Sequence, residues 1–116
     1  MRSNALLLTW DRPLPGREQL GMQLFQDFMN YMGGLKERGT IESFETMFLE
    51  PRGPGIAGLI LVRGDSQKLA ELTQSDEWGK LMLRSQMTLK NPALVRGFVG
   101  AVVGERMKMW AQLIPH

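Results

Sequence analysis

Two strand-like runs held apart by a five-residue breaker cluster constrain this chain more than any other feature of it. Residues 41–50 (Ile-Glu-Ser-Phe-Glu-Thr-Met-Phe-Leu-Glu) and 56–63 (Ile-Ala-Gly-Leu-Ile-Leu-Val-Arg) flank Pro51-Arg-Gly-Pro-Gly55. Proline and glycine both interrupt regular structure, so a link this short and this rich in them predicts an antiparallel hairpin. Helical patterns lie on both sides of the hairpin, and a strand stands at each end. The expected order is strand, helix, two strands, helix, strand.

Residues 5–10 (Ala-Leu-Leu-Leu-Thr-Trp) read as a short buried strand, broken by Asp11-Arg-Pro-Leu-Pro-Gly16. Across residues 17–38, Leu20, Leu24, Phe25, Phe28, Met29, Met32 and Leu35 form a broad apolar stripe at helical spacing. Gly21, Gly33 and Gly34 each cost that helix about 1 kcal/mol relative to alanine. The Gly33-Gly34 pair is expected to kink the helix or let it lie close to the sheet, and Gly39 to end it. Asp65-Ser66 caps a helix over 67–72, and Ser75 starts another with Asp76 and Glu77 in its dipole-favoured first turn. Trp78, Leu81, Met82, Ser85 and Leu89 should face inward. After Asn91-Pro92, residues 93–103 read as the last strand. Residues 105–114 read as an amphipathic helix with Met107, Trp110, Ala111 and Ile114 inward.

This order predicts an α+β domain: a four-stranded antiparallel sheet with helices on one face. Its strands carry apolar residues at both parities: Phe44 and Phe48 against Ile41, Met47 and Leu49, and Leu59 and Leu61 against Ile56, Ile60 and Val62. A strand wet on one face alternates apolar with polar. Both faces are therefore expected to be covered, the second by another copy in an isologous homodimer.

Composition removes several functional classes. At 116 residues and 43% hydrophobic content, residues 1–116 suit one domain with a sizeable core. With no cysteine there are no disulfides, thiolate metal sites or cysteine nucleophiles. The single histidine is His116, so neither a metal nor a cofactor is expected. Fourteen Lys and Arg interleave with twelve acids for a net charge of +2 and no basic run, which argues against a nucleic-acid partner. No segment nears the roughly 18 apolar residues of a membrane span. The short apolar run near the N-terminus is about half a signal-peptide core with no cleavage site after it. A cytoplasmic address follows as the expectation.

Residues 28–42 (Phe-Met-Asn-Tyr-Met-Gly-Gly-Leu-Lys-Glu-Arg-Gly-Thr-Ile-Glu) resemble the helix and second strand of the YCII-like branch of the dimeric α+β barrel proteins. Leu72-Thr-Gln-Ser-Asp-Glu-Trp78 is similar to the helix break before the last strand in several branches. The resemblance implies a ferredoxin-like βαββαβ protomer with an extra C-terminal helix. Two such protomers close their sheets into one barrel. The superfamily includes cofactor-independent monooxygenases, haem-degrading enzymes, lactone isomerases and proteins of unknown role. This chain lacks the internal histidines of the haem-degrading and YCII-like branches, and no DGPF signature follows its hairpin. What remains implied is a small-molecule pocket between sheet and helices, with monooxygenase-like chemistry or none. The alternative is a non-catalytic dimeric binding or structural module.

Gly53-Pro-Gly-Ile-Ala-Gly58 spells G-x-G-x-x-G, but it leads into a strand and contains proline, so it reads as a turn. Residues 96–103 echo the start of an RNA-recognition signature, yet the third strand has no aromatic on which a base could stack. Met22, Met29, Met32, Met82 and Met107 are assigned to core packing on helical inner faces. Polar and aromatic residues set among apolar ones are the better candidates: Trp10, Tyr31, Arg63, Trp78 and Arg96. A buried arginine, or the mid-strand Glu45, must find a partner. That partner is an internal Arg–Glu pair, a dimer contact, or the anionic or carbonyl oxygen of a small, largely apolar or aromatic ligand. Trp10, Tyr31 and Trp78 would wall such a ligand in. Arg96 leads, because Gly97 and Gly100 leave space beside it. No nucleophile–base pair completes a catalytic set.

Overall fold

The computed structural model describes residues 2–115, and the histidine at position 116 lies outside them. The elements are β1 (Ala5–Trp10), α1 (Glu18–Glu37), β2 (Ser43–Phe48), β3 (Gly58–Arg63), α2 (Ser66–Thr73), α3 (Asp76–Thr88), β4 (Ala93–Gly97) and α4 (Ala101–Leu113). The breaker cluster does join two antiparallel partners, β2 and β3, with Phe44 opposite Val62 and Phe48 opposite Gly58. β1 pairs antiparallel with both β3 and β4, giving the strand order β2-β3-β1-β4. With α1, α2 and α3 on one face, this is the ferredoxin-like fold. Its second helix is split at Gln74-Ser75, and α4 follows it.

Local chemistry accounts for the helix limits. α1 buries Gly21, Leu24, Phe28, Met32 and Leu35, the i, i+3/i+4 stripe of the sequence. It ends where Gly39 takes φ +75°. There Gly39 N–H donates to Lys36 O and Thr40 N–H to Leu35 O, which satisfies two terminal carbonyls. The Asp65 carboxylate accepts from Gln67 and Lys68 N–H to start α2, and the Ser75 hydroxyl accepts from Trp78 N–H to start α3. Between these helices and the sheet lie Leu6, Leu8, Ile60 and Val62, with Trp78 edge-on to Phe28 at 6.2 Å between ring centres.

The other sheet face carries Leu7, Leu59, Leu61, Met47 and Val95, and no helix of the described residues packs on it. Met47 and Val95 are more than half exposed.

Several expectations are corrected. The last strand stops at Gly97, not 103, because its partner runs out: Gly97 pairs with Ala5, the first residue of β1. Beyond that point Asn4 takes over both backbone groups of Val99. Val99 N–H donates to Asn4 Oδ1 at 2.9 Å, and Asn4 Nδ2 donates to Val99 O at 3.1 Å. Gly100, at φ +67°, then turns the chain into a helix that starts at Ala101. In α4 the residues expected inward (Met107, Trp110, Ala111 and Ile114) are all exposed. Met22 is exposed as well. The Gly33-Gly34 pair neither interrupts α1 nor meets the sheet: a Cβ on Gly33 would have no neighbour within 4 Å. Within α1 the close approach is made by Gly21, where a Cβ would stand 3.0 Å from Pro13 Cγ.

Met32 is fully enclosed between α1 and the sheet. Met32→Ala should cost about 2–5 kcal/mol, the range for a large buried side chain removed from a core, read as a lowered urea midpoint. A second contact ties α1 to α3: Asp27 accepts from Arg84 Nη2 at 2.9 Å and from Gln23 Nε2 at 2.9 Å. The hydrogen bond from Arg84 holds the Asp27 carboxyl below the ordinary aspartate range. A depressed folded value gives stability that is present above the unfolded pKa and lost as pH falls through the folded one. Asp27→Asn should therefore lower Tm near neutral pH. The gap to the native chain should close as pH drops below about 4, in thermal melts run across that range.

Candidate functional site

At the Trp10 end of the sheet a cavity of about 660 Å³ opens between the sheet, α1 and α3. Leu8 and Ile60 form its floor, Leu24 and Phe28 one wall and Met82 another, with Phe48, Met22 and Leu94 towards the rim. The sheet register builds its aromatic end. Trp10 on β1 and Phe48 on β2 both lie opposite Gly58 of β3. A Cβ on Gly58 would stand only 2.5 Å from Trp10 Cζ2, so glycine is what lets the indole lie there. Phe48 meets Trp10 edge-on at 6.4 Å between ring centres and Phe25 at 5.1 Å, a cluster in which each ring limits the others.

One side of the opening is braced by backbone. Asp11 N–H donates to Lys90 O, Lys90 N–H to Arg12 O, and Leu14 N–H to Thr88 O. This brace sets Pro13 and Leu89 in the wall. The Asp11 carboxylate inside it is 4% exposed and lies between Arg12 Nε at 3.3 Å and Lys90 Nζ at 3.8 Å, so the buried charge is compensated.

The polar groups of the lining are few: Thr9, Glu18, Ser85 and Gln86. The Ser85 hydroxyl donates to Leu81 O and keeps acceptor capacity, and Glu18 Oε1 accepts from Gly16 N–H at 3.3 Å. The lining contains no lysine or arginine. Such a cavity can bury an apolar body and accept hydrogen bonds from a donor at its edge. Among the described residues no group of three His, Cys, Asp or Glu is placed to hold a metal ion.

The structure does not bring the five candidate residues together. Trp10 stands in the cavity wall. Tyr31 lies in a shallow polar hollow lined also by Arg38, Lys68, Glu71 and Glu77. Desolvation raises its phenol above the ordinary tyrosine value, and a hydrogen bond with Ser75 partly offsets that. Trp78 is enclosed in the core against Phe28, its indole N–H unpartnered among the described residues. Arg63 lies 4.0 Å from Glu45, both side chains well exposed. Arg96 is exposed and donates from Nη2 to Thr73 Oγ1 at 3.1 Å, tying β4 to α2. The wall residues Phe25, Phe48, Met22, Met82 and Gln86 are not among the sequence's candidates. Of these, Phe48 alone had a signal in the hairpin register, which sets it opposite Gly58, the strand glycine that β1 also places opposite Trp10.

Neither a protein-family profile nor a curated protein matches the chain. In fold, it is similar to a crystal structure from Bacteroides fragilis, a dimeric protein of unknown function with a ferredoxin-like fold. The TM-score is 0.58 at 9% identity, over 82% of this chain and 95% of that one. At that identity the likeness supports the fold and nothing finer.

Gly58→Ala tests the aromatic end directly. The added methyl should force the indole of Trp10 away, changing near-UV circular dichroism and costing about 1–3 kcal/mol, the usual penalty of overpacking. An unchanged near-UV spectrum would mean that the ring does not rest on Gly58.

Proposed function

We propose that this chain is a single-domain, cytoplasmic member of the dimeric α+β barrel proteins whose cavity binds a small, largely apolar or aromatic ligand. The observation that carries the reading is the cavity itself. Its roughly 660 Å³ and mostly apolar walls have the size and character of a small-molecule site, with few polar groups to set orientation. Burying about 200 Å² of apolar ligand surface is worth on the order of 5 kcal/mol before the costs of association. Trp10, Phe28 and Phe48 would take the ligand body. Glu18 and Gln86 would receive a hydroxyl or amine at its edge, because no guanidinium lines the site. The dimer is supported by the apolar sheet face that the chain's own helices leave open, and by the dimeric structural neighbour.

No nucleophile–base pair lines the cavity, which favours binding over catalysis. A monooxygenase-like reaction here would rest on a substrate that itself delivers electrons to oxygen.

The test is a titration with 2-naphthol, whose fused rings fit the walls and whose hydroxyl can donate to Glu18 or Gln86. Saturable one-per-chain binding with a raised Tm is expected. Leu94→Trp, which fills the rim from β4, should weaken binding at least tenfold and leave the unliganded melt in place. No binding by the native chain at millimolar naphthol, or full affinity in Leu94→Trp, would overturn the proposal.

A further inference from the structure

We propose that α4 is an exchanged arm: in the dimer inferred above, on which this rests, it packs against the second copy of the chain and not against its own body. Among the described residues α4 contributes nothing to the core and packs on no other helix or strand. The radius of gyration is 16.1 Å, against about 13 Å for a compact domain of this length, and the longest dimension is 56 Å. The helix therefore projects.

Its surface is not that of a solvated helix. At about 100° per residue, Val103, Met107, Trp110 and Ile114 fall on one side, flanked by Met109 and Leu113. Glu105, Lys108 and Gln112 fall on the other. Trp110 is 64% exposed and Leu113 79%. The one charge within the apolar arc, Arg106, is held 4.0 Å over the ring of Phe98 on its own chain. A thirteen-residue helix with no side-chain cap at its N-terminus is marginal alone in water, so packing must supply its stability.

A second copy of the chain is the occupant that fits. The arm leaves from β4, an edge strand of the sheet whose uncovered face carries Leu7, Leu61 and Val95, so it starts beside the proposed interface. Asn4 fixes the direction of exit by holding both backbone groups of Val99. A two-fold operation then buries both arms at once. Six large side chains present several hundred Å², and the sheet face brings the total to the order of the ~800 Å² per partner that a stable complex removes. A membrane surface is the weaker occupant. Helices that lie on lipid carry a lysine- and arginine-rich polar face, whereas here Lys108 is balanced by Glu105.

Sedimentation equilibrium of the full chain decides it, using the native protein, Trp110→Glu and Met107→Glu. The native chain should be a dimer at micromolar concentration. Each variant should raise the dimer Kd at least a hundredfold while keeping the core's melting transition, because neither residue belongs to the core. A dimer with unchanged Kd in both variants would overturn the arm and leave the sheet dimer standing. A native chain that sediments at 13.1 kDa would overturn the dimer and the arm together. Native chain that is monomeric and pelleted by phosphatidylglycerol vesicles, an effect lost in Trp110→Glu, would assign α4 to lipid and overturn the proposal.

Discussion

The hydrogen-bond ladder of β1 is the constraint on which the rest of this structure depends. It is a six-residue strand in the middle of the sheet, and both of its neighbours take their register from it. At one end Trp10 pairs with Gly58, and the missing side chain admits the indole that forms the aromatic end of the cavity. At the other end Ala5 pairs with Gly97, and the ladder stops. Asn4 N–H makes the last main-chain bond, to Gly97 O, the Asn4 side chain holds Val99, and the chain turns into α4. The cavity and the arm are thus consequences of where one short strand begins and ends.

This explains which parts of the fold were legible in the sequence. The hairpin, the α1 stripe, the Gly39 stop and the caps at Asp65 and Ser75 are local signals, each with its mechanism inside a few residues. The extent of β4 is not local. Residues 93–103 have strand-like composition throughout, and only the length of a partner ninety residues away in sequence ends the strand. With β4 ending at Gly97, α4 starts earlier than the sequence pattern predicts, and its apolar side finds nothing within its own chain to pack on.

The candidate site was legible only at Trp10, and the reason is geometric. Arginines set in apolar runs read as buried. Arg63 and Arg96, however, sit where strands end or form the sheet edge, and there a long side chain can lay its stem on the sheet and put its head in water. Apolar neighbours in sequence did not mean apolar neighbours around the guanidinium. The cavity instead draws on residues ordinary in isolation, such as Leu24, Phe25 and Met82, which become a site because the register and the backbone brace at Asp11–Lys90 hold them around one space.

The methionines show how this chain divides its apolar surface. The sequence pattern assigns Met22, Met29, Met32, Met82 and Met107 to the core, and Met32 fits, with Met29 and Met82 partly buried against it. Met22 and Met82 line the cavity, Met47 lies on the uncovered sheet face, and Met107 and Met109 lie on the projecting helix. A thioether on an unbranched, flexible side chain packs against surfaces of varied shape at little cost in strain. It suits contacts that form only when something arrives. A core of fixed shape would be better specified by leucine and isoleucine, and the centre of this sheet has those: Leu6, Leu8 and Ile60. The adaptable residues concentrate where the fold leaves apolar surface open, at the cavity rim, the bare sheet face and α4.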